Sequence, residues 1–379
     1  MTAHILGVGM TRFARQPQRT VEELAHEAIL AAVDDAGIEL RDIQVAFVGS
    51  ALLGDGIGQK ILKDLGVCGL PINNVVNACA SGTNAMHEAT MWIRAGACDL
   101  ALAVGVESLS RSLLGSLVPL PEEDLAGGHG LSLPALYAIK AQRYMAEYGA
   151  TARDFAAVSS QARANGSLNP YAMFQLPLTI DEVLNSGFVA EPITKFMCCA
   201  NADGASAVIV GSSSAARKVA RKTVEIAGSA MVSGLLRDRV EQWSDHGAER
   251  AAKAAFAAAG IGPEDVAVAE VQDPFSVATV MYAEDLGLAP RGEGAKRFAA
   301  GEYQNGKGRT AVNATGGILA RGHPLAATGL AQVHDLVRQL RGEAGPCQVH
   351  DPKVALQFNN GGTVMDVEAT AFFVNVLKR

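Results

Sequence analysis

Hydrophobic and polar positions repeat in the same order in two parts of the chain. Residues 27–48 (EAILAAVDDAGIELRDIQVAFV) and 250–271 (RAAKAAFAAAGIGPEDVAVAEV) each combine an alanine-rich amphipathic segment, a Gly-Ile stop, an acidic turn and an apolar strand pattern. Gly37 aligns with Gly260, and the later positions keep the same offset of 223 residues. A constant register through helix, turn and strand favours an internal duplication over chance similarity between alanine-rich helices.

After each copy of this repeat, the pattern continues with a strand, a helix and a second strand. The segments predicted for these elements are 73–76, 83–96 and 99–108 in the first half, and 310–317, 325–342 and 354–362 in the second. Alternating strands and helices predict an α/β architecture with parallel or mixed sheets. Because the strands are apolar, we expect helices to cover them on both faces.

A region at about 110–200 interrupts this alternation with prolines, glycines and aromatic-bearing helical segments around Tyr137–Tyr148. We interpret it as an insertion that covers a site on the α/β scaffold, not as a separate domain. The predicted domains are therefore 1–240, the N-terminal half with its insertion, and 241–379, the C-terminal half.

Composition narrows the class of protein. Of 379 residues, 49% are hydrophobic and 19% are charged, which is typical of a globular chain. A net charge of −7 without a long basic run argues against a nucleic-acid partner. The first residues suggest a strand and turn, not a signal peptide, and no long apolar run predicts a membrane segment. Six cysteines without Cys-x-x-Cys spacing predict no metal site and fit a reducing cytoplasm.

One of these cysteines, Cys79, lies between a predicted strand and a predicted helix, in VNACASGTNAMHEA (76–89). Unpaired N–H groups at a helix start favour a thiolate, so we expect this position to lower the pKa of the thiol. Small neighbours, among them Gly82, would leave room for a substrate carbonyl. Taken alone, however, a cysteine in such a chain is more often a buried structural residue.

Two further motifs carry groups that could act with a thiol. His323 lies in NATGGILARGHPLAATG (313–329), a glycine-rich turn before a helix, where an imidazole could accept a proton. QFNNGGTVMD (357–366) ends a strand in Asn-Asn-Gly-Gly, whose backbone N–H groups suit an oxyanion hole. Each motif alone is equally compatible with an ordinary turn.

Together, these motifs resemble those of the thiolase superfamily, and most of all its sterol-carrier-protein type. The segments NACASGTNA, FMCCANADGASAVIV, GGILARGHPLAATGLAQ and LRGEAG occur in the order of the family over nearly the whole chain. The resemblance implies a five-layered αβαβα thiolase fold made of two similar halves with a loop-domain insertion. It also implies that Cys79 attacks an acyl-CoA or 3-oxoacyl-CoA with His323 as its base. Backbone N–H groups of Cys79 and Gly361 would then stabilise the oxyanion.

The sequence departs from the family at the second catalytic cysteine. Common thiolases carry it in a C-terminal Cys-x-Gly motif, where this chain has Asn-Asn-Gly-Gly with Asn359 nearest that position. The sterol-carrier type carries it in His-Asp-Cys-Phe, which here is Gln272–Phe275 (QDPF). Gln272 can donate a hydrogen bond to an oxyanion but cannot transfer a proton. Cys198 and Cys199 lie in an apolar stretch, and the resemblance implies that their role is structural.

Three functions remain open at this point. The leading one is a thiolase-type acyl-CoA acyltransferase of lipid or aromatic-acid catabolism, which cleaves or forms a 3-oxoacyl-CoA through an S-acyl-Cys79 intermediate. Coenzyme A is its substrate, and no covalently bound cofactor is expected. The alternatives are a retro-aldol lyase acting on a β-hydroxyacyl-CoA and a CoA-ester-binding subunit. The resemblance further implies a homodimer or dimer of dimers, and divergent members associate with a small zinc-ribbon/OB-fold partner.

Overall fold

The computed structural model describes residues 1–111, 125–235, 247–363 and 369–379. The predicted domain boundary at 240/241 and part of the predicted insertion lie outside these ranges. The strands are β1 (Ala3–Met10), β2 (Val45–Gly49), β3 (Ile72–Val75), β4 (Leu100–Ser108), β5 (Phe188–Ala190), β6 (Ile193–Thr194), β7 (Asp203–Ser212), β8 (Val224–Ser233), β9 (Val268–Val271), β10 (Ala311–Val312), β11 (Val354–Gly361) and β12 (Ala371–Lys378). The helices are α1 (Val21–Ala36), α2 (Ile57–Lys63), α3 (Ser81–Arg94), α4 (Leu125–Gly128), α5 (Leu133–Tyr148), α6 (Ala152–Gly166), α7 (Ile180–Leu184), α8 (Ser213–Ala216), α9 (Gly247–Ala259), α10 (Ser276–Asp285), α11 (Gly294–Ala299), α12 (Gly317–Arg321) and α13 (Thr328–Arg341).

The sequence repeat keeps its register in the structure. Helix α1 begins at a capping box, in which the Glu23 N–H donates to the Thr20 hydroxyl at 3.1 Å and the Thr20 N–H to the Glu23 carboxylate at 2.8 Å. It ends at Gly37, whose φ of 67° is the left-handed conformation that favours glycine. Helix α9 ends in the same way before Gly260, with a φ of 65°. Strands β2 and β9 then begin at equivalent positions of the two copies.

The main sheet has ten strands in the order β10-β9-β11-β12-β8-β1-β7-β4-β2-β3. From the centre outwards, the first half has the order β1-β7-β4-β2-β3 and the second half has the order β8-β12-β11-β9-β10. Equivalent strands therefore occupy equivalent places, as duplication predicts. The halves meet where β1 and β8 pair through His4 with Glu225 and Ile5 with Val224. Pairing is mixed, because β2 runs parallel to β3 and β4 whereas β7 runs antiparallel to β4 and β1.

The helices form three layers, one on the outer face of each half of the sheet and one between the halves. Helices α1 and α2 pack on the outer face of the first half, with Ile29 in their core. Helices α3 and α13 share one core with strands of both halves, in which Met86 and Leu336 are fully buried. Helix α9, with Phe256, packs with α10 on the outer face of the second half. The αβαβα order confirms the predicted fold class.

The insertion contributes α4 to α7 and the small β5–β6 sheet between β4 and β7. Its helix α6 places Phe155 in the same core as Phe358 of β11. The N–H groups of Met173 and Phe174 donate to carbonyls of α12, at 3.2 and 3.0 Å. The described part of the insertion therefore packs on the second half and lies against the segment that leads to His323.

Neither a membrane span nor a metal cluster is found in the described residues. None of the helices in these ranges is long and apolar enough to cross a membrane. Within the same ranges, no group of three histidine, cysteine or acidic side chains is arranged to hold a metal ion. All six cysteines are free thiols.

Candidate active site

Cys79 lies in a short 3-10 turn, Ala78–Ala80, directly before α3. Ala78 has a φ of 46°, a left-handed conformation that is uncommon for a residue with a side chain. The Ser81 hydroxyl stabilises this turn, since it donates to the Ala78 carbonyl at 2.7 Å and accepts from the Asn77 N–H at 2.9 Å. The cysteine is half-buried and is held between the end of β3 and the first turn of α3.

Two glycines allow other backbone segments to approach this turn closely. A Cβ atom on Gly82 would lie 2.2 Å from the Ala326 carbonyl oxygen, in the loop after His323. A Cβ atom on Gly361 would lie 2.0 Å from the Asn77 carbonyl oxygen. The expectation that Gly82 leaves room for substrate is therefore wrong, because its space is filled by the backbone of the histidine loop.

Replacing Gly361 with alanine should displace the Cys79 turn. The added methyl group overlaps the Asn77 carbonyl, and such overpacking costs about 1–3 kcal/mol in the free energy of unfolding. Chemical denaturation would measure this loss, and mass spectrometry of the acyl-CoA-treated protein would show slower acylation of Cys79. A variant that matches the parent in both measurements would contradict the close approach of β11 to the turn.

The imidazole of His323 faces the thiol, with Nε2 3.3 Å from Cys79 Sγ. Its Nδ1 lies 2.7 Å from the Thr328 hydroxyl, which is itself 3.3 Å from the Pro324 carbonyl oxygen. A carbonyl can only accept, so the hydroxyl donates to Pro324 and accepts from Nδ1–H. We infer the tautomer from this network: Nε2 carries a lone pair directed at the thiol proton.

Buried polar contacts fix the loop that carries His323. Its backbone N–H donates to the Ala200 carbonyl at 2.8 Å. Two residues earlier, the guanidinium of Arg321 is fully buried and forms an ion pair with Asp335. Asp273, next to Gln272, accepts hydrogen bonds from N–H groups in the first turn of α12. The QDPF segment thus positions the histidine loop through its aspartate.

Burial makes the thiol and the imidazole a neutral pair at pH 7. Desolvation raises the pKa of Cys79 to about 12, with a contribution from the Glu107 carboxylate, against the opposing N–H groups of Cys79 and Gly362. Desolvation and then the Arg321 charge lower the pKa of His323 to about 4. The expected low thiol pKa is therefore wrong, because desolvation outweighs the helix start. An attack by this sulfur would therefore require the imidazole to accept the thiol proton.

Gln272, at the end of β9, is buried and has a fixed orientation. Its Oε1 accepts from the Asn360 backbone N–H at 2.7 Å and from the Asn359 side-chain amide. A backbone N–H can only donate, so the glutamine carbonyl must face it and the NH2 group points elsewhere as a donor. Within the described ranges that NH2 group has no acceptor. The predicted role of Gln272 as a hydrogen-bond donor is compatible with this arrangement.

Asn359 is fully buried, and both polar groups of its side chain form hydrogen bonds. It is the residue nearest the position of the family's C-terminal cysteine. Its amide donates to Gln272, and its Oδ1 accepts from the Thr83 hydroxyl of α3 at 3.0 Å. Asn359 therefore links the Gln272 segment to α3. An amide carries no readily transferable proton, so Asn359 does no acid–base work.

Exchanging Gln272 for glutamate should lower catalysis far more than stability. A carboxylate can still accept from Asn359 and Asn360, but its charge is buried, so we expect the melting temperature to fall moderately. The substitution replaces the NH2 donor of Gln272 with an anion that repels a developing oxyanion. We therefore expect kcat for C–C cleavage to fall about 10²–10³-fold. Steady-state kinetics beside a thermal melt would test this, and a kcat within threefold of the parent would contradict it.

Several residues that define this geometry were not predicted from the sequence. The N–H of Gly362 is the second backbone N–H that lowers the pKa of Cys79, whereas Gly361, the predicted oxyanion donor, is one residue earlier at the end of β11. The assignment of Gly361 stays a prediction. Thr328 is the first residue of α13, one position after its N-cap Ala327, so no capping signal in the sequence identifies it.

Aromatic side chains connect the insertion to the site. Tyr137 of α5 stacks on Phe275 with ring centroids 4.6 Å apart, and its hydroxyl lies 3.1 Å from that of Tyr282. The Tyr282 hydroxyl accepts from the Asn360 side-chain amide at 2.9 Å. Because Asn360 also contacts Gln272, the insertion helix packs directly on the wall of the site, as expected for a segment that covers it.

Comparison with known proteins identifies the family of this chain. The family description "Thiolase, N-terminal domain" matches residues 3–214, and "Thiolase C-terminal domain-like" matches residues 229–373. Benzoylsuccinyl-CoA thiolase subunit BbsB of Thauera aromatica is 39% identical over 365 residues, which cover 95% of this chain and 94% of that protein. Sterol carrier protein 2 of Homo sapiens is 35% identical, over 94% of this chain and 69% of that protein.

A solved structure named Ltp2-ChsH2(DUF35) aldolase is also similar, with a TM-score of 0.87 and 28% identity over all of this chain and 97% of that one. The resemblance seen in the sequence motifs is thus confirmed by two family descriptions and by full-length relatives. The chain belongs to the thiolase superfamily and is a thiolase-type acyl-CoA acyltransferase.

Proposed function

We propose that this protein catalyses CoA-dependent cleavage of a 3-oxoacyl-CoA through an S-acyl-Cys79 intermediate. The observation that carries the proposal is the 3.3 Å contact between Cys79 Sγ and the unprotonated Nε2 of His323. His323 takes the thiol proton while the sulfur attacks the C3 carbonyl. The C2–C3 bond then breaks, leaving the acyl group on sulfur and releasing a shorter acyl-CoA. Coenzyme A finally accepts the acyl group and frees Cys79.

Hydrogen-bond donors surround the positions where negative charge develops in this reaction. The N–H groups of Cys79 and Gly362 face the Cys79 sulfur and would stabilise the tetrahedral oxyanion, and Gly361 stays the donor predicted from the sequence. The oriented NH2 group of Gln272 and the His323 imidazole would hold the thioester oxygen of the leaving acyl-CoA. These assignments require only the chain's own residues and the CoA substrates.

The acyl group transferred is proposed to be bulky or aromatic, from an aromatic-acid degradation route. This rests on the 39% identity to a protein named for benzoylsuccinyl-CoA. The insertion places the stacked rings of Tyr137 and Phe275 beside the Gln272 segment, which favours an apolar acyl pocket there.

The protein is proposed to act as a homodimer with a small zinc-ribbon/OB-fold partner of the DUF35 type. The name of a similar solved structure, Ltp2-ChsH2(DUF35) aldolase, includes DUF35, and BbsB is named as a subunit. Strand β3 lies at the outer edge of the first half, and Val76 beside it is 66% exposed, which favours self-association along this edge. The cytoplasm stays a prediction from the free cysteines.

A second candidate function, a retro-aldol lyase, is favoured by the word aldolase in the name of that similar structure. A retro-aldol cleavage of a β-hydroxyacyl-CoA needs a base for the hydroxyl proton but no acyl acceptor. The pair formed by Cys79 and His323 supplies an acceptor, so the acyltransferase is the function that this geometry supports best.

CoA stoichiometry distinguishes the two functions. The chain, alone and with a co-expressed DUF35 partner, would be given benzoylacetyl-CoA or the corresponding β-hydroxyacyl-CoA, with and without free coenzyme A. We expect cleavage of the 3-oxo compound only, with one CoA consumed and two thioesters formed per bond broken. Cleavage of the β-hydroxy compound without CoA consumption would overturn the proposal in favour of the lyase.

A further inference from the structure

Cys199 lies beside the residue that replaces the cysteine of the His-Asp-Cys-Phe motif. Its backbone N–H donates to the carbonyl of Pro274 at 2.9 Å, and the neighbouring Cys198 forms an isolated β-bridge with Phe275. On its other side, Asn201 forms a bridge with His323, whose N–H donates to Ala200. Residues 198–201 therefore connect the QDPF segment to the loop that carries the catalytic base.

The two adjacent thiols face opposite ways. Cys198 has extended backbone angles (φ −107°, ψ 145°), and its sulfur lies 3.5 Å from the Thr194 carbonyl while its side chain packs against the outer core. Side chains alternate along extended backbone, so that of Cys199 is directed away from this core and towards the nucleophile. Cys199 is half-buried, as Cys79 is.

Charge interactions agree with that direction. Burial raises the pKa of Cys199 well above its usual value, and negative charge on Cys198, Cys79 or Asp273 raises it further when those groups are ionised. The thiol is thus close enough to respond to ionisation of Cys79. It is protonated at neutral pH and can serve as an acid.

The reaction needs such an acid. Breaking the C2–C3 bond leaves an electron pair on C2 that must receive a proton. His323 is committed to the Cys79 proton, and Gln272 and Asn359 carry amides. The carboxyl groups of Asp273 and Glu107 are occupied by backbone N–H donors, from α12 and from Ala51 respectively. Cys199 carries a transferable proton, and its side chain lies on the side of the QDPF segment that faces Cys79.

We propose that Cys199 is the catalytic acid–base residue that protonates C2 of the leaving acyl-CoA and later accepts the proton of the incoming coenzyme A. The proposal rests on the proposed acyltransferase function. In the first half-reaction, the C2–C3 electron pair takes the Cys199 proton. This leaves S-acyl-Cys79, a Cys199 thiolate and an imidazolium at His323. In the second half-reaction, the CoA thiol gives its proton to Cys199 and attacks the thioester. The released Cys79 thiolate then recovers its proton from His323, which restores every group.

Two ways of loading the same acyl group test this role. Benzoyl-CoA places a benzoyl group on Cys79 without C–C cleavage, whereas benzoylacetyl-CoA places it there only by breaking C2–C3. Acetyl-CoA and acetoacetyl-CoA form a second such pair. Loading rates would be measured by rapid quench and intact mass for the parent, Cys199→Ala, Cys199→Ser and the matched control Cys198→Ala, each checked by thermal melt.

Loading from a simple thioester also uses the Cys199 proton, for the departing CoA thiolate, but a thiolate leaves far more easily than a C2 carbanion. Both Cys199 variants should therefore load from the simple thioesters only about tenfold more slowly than the parent, and from the 3-oxoacyl compounds about 10²–10⁴-fold more slowly. Cys198→Ala should match the parent in both reactions. An unchanged rate from the 3-oxoacyl compounds in Cys199→Ala, or an equal slowing of both reactions, would overturn the acid–base role. Failure of the parent to load from any of the four compounds would instead reject the acyltransferase itself.

Discussion

Replacing Cys79 with alanine should abolish CoA-dependent cleavage of a 3-oxoacyl-CoA, with a loss of about 10⁴-fold or more in kcat. In the proposed mechanism the sulfur is the atom that becomes acylated, and the neighbouring N–H donors and His323 have nothing to activate without it. Thioester release, followed in the presence of free coenzyme A, would measure the loss. The fold should be retained, because the half-buried side chain is shortened by a single sulfur atom.

Cys68→Ala provides the control, since Cys68 is exposed and should be replaceable without loss of activity. Full C–C cleavage by Cys79→Ala would contradict the covalent mechanism. Such a result would indicate that the carbon–carbon bond breaks without an acyl-enzyme, as in a lyase.

The exchange of His323 for glutamine should slow acylation of Cys79 by about 10²–10⁴-fold at pH 7. The thiol has a pKa of about 12, so without its base only on the order of 10⁻⁵ of it is ionised at pH 7. The variant's rate should therefore rise about tenfold for each pH unit between pH 7 and 10. The parent should show no such rise, because its imidazole pKa of about 4 keeps His323 neutral and able to accept a proton throughout.

Rapid-quench mass spectrometry across this pH range would give both profiles. His4→Gln is a matched control, since His4 is a partly buried histidine on β1 that contacts Ser213 and not Cys79. A His323→Gln profile as flat as that of the parent would show that the imidazole does not take the thiol proton.

Much of the fold could be predicted from the repeat. The offset between Gly37 and Gly260 identified equivalent helices and strands, and the helix predicted over 83–96 corresponds to α3. These features depend on local hydrophobic spacing and on glycine conformation, which the sequence records directly. The pairing of β1 with β8, which joins the two half-sheets, depends on contacts between distant segments and could not be predicted from any local pattern.

The candidate site was predictable in its reacting groups and not in its supporting contacts. Motifs identified Cys79 and His323, and the structure brings their side chains together. The hydroxyl of Thr328 that sets the imidazole tautomer became visible only in three dimensions. The same holds for Cys199, which sequence reasoning treated as structural because its neighbours are apolar. Its place beside Pro274 comes from a contact across 75 positions of the chain.

The thiol pKa shows why electrostatics could not be predicted from sequence. A helix start lowers a cysteine pKa by itself, and Cys79 does precede α3. Burial of the sulfur depends on every segment that surrounds it. Two of these are the end of β11, which approaches closely at Gly361, and the histidine loop, which approaches closely at Gly82. Desolvation by these segments reverses the sign of the shift.

Peptide mapping of an acyl-enzyme tests the central claim most directly. The protein, alone and with a DUF35 partner, would be incubated with benzoyl-CoA and acetyl-CoA without free coenzyme A, quenched in acid, and analysed by intact mass and by digestion. We predict one acyl group per chain, located on the peptide that contains Cys79, absent from Cys79→Ala and released by added coenzyme A. Unmodified Cys79 in a preparation that cleaves a 3-oxoacyl-CoA would contradict the covalent mechanism.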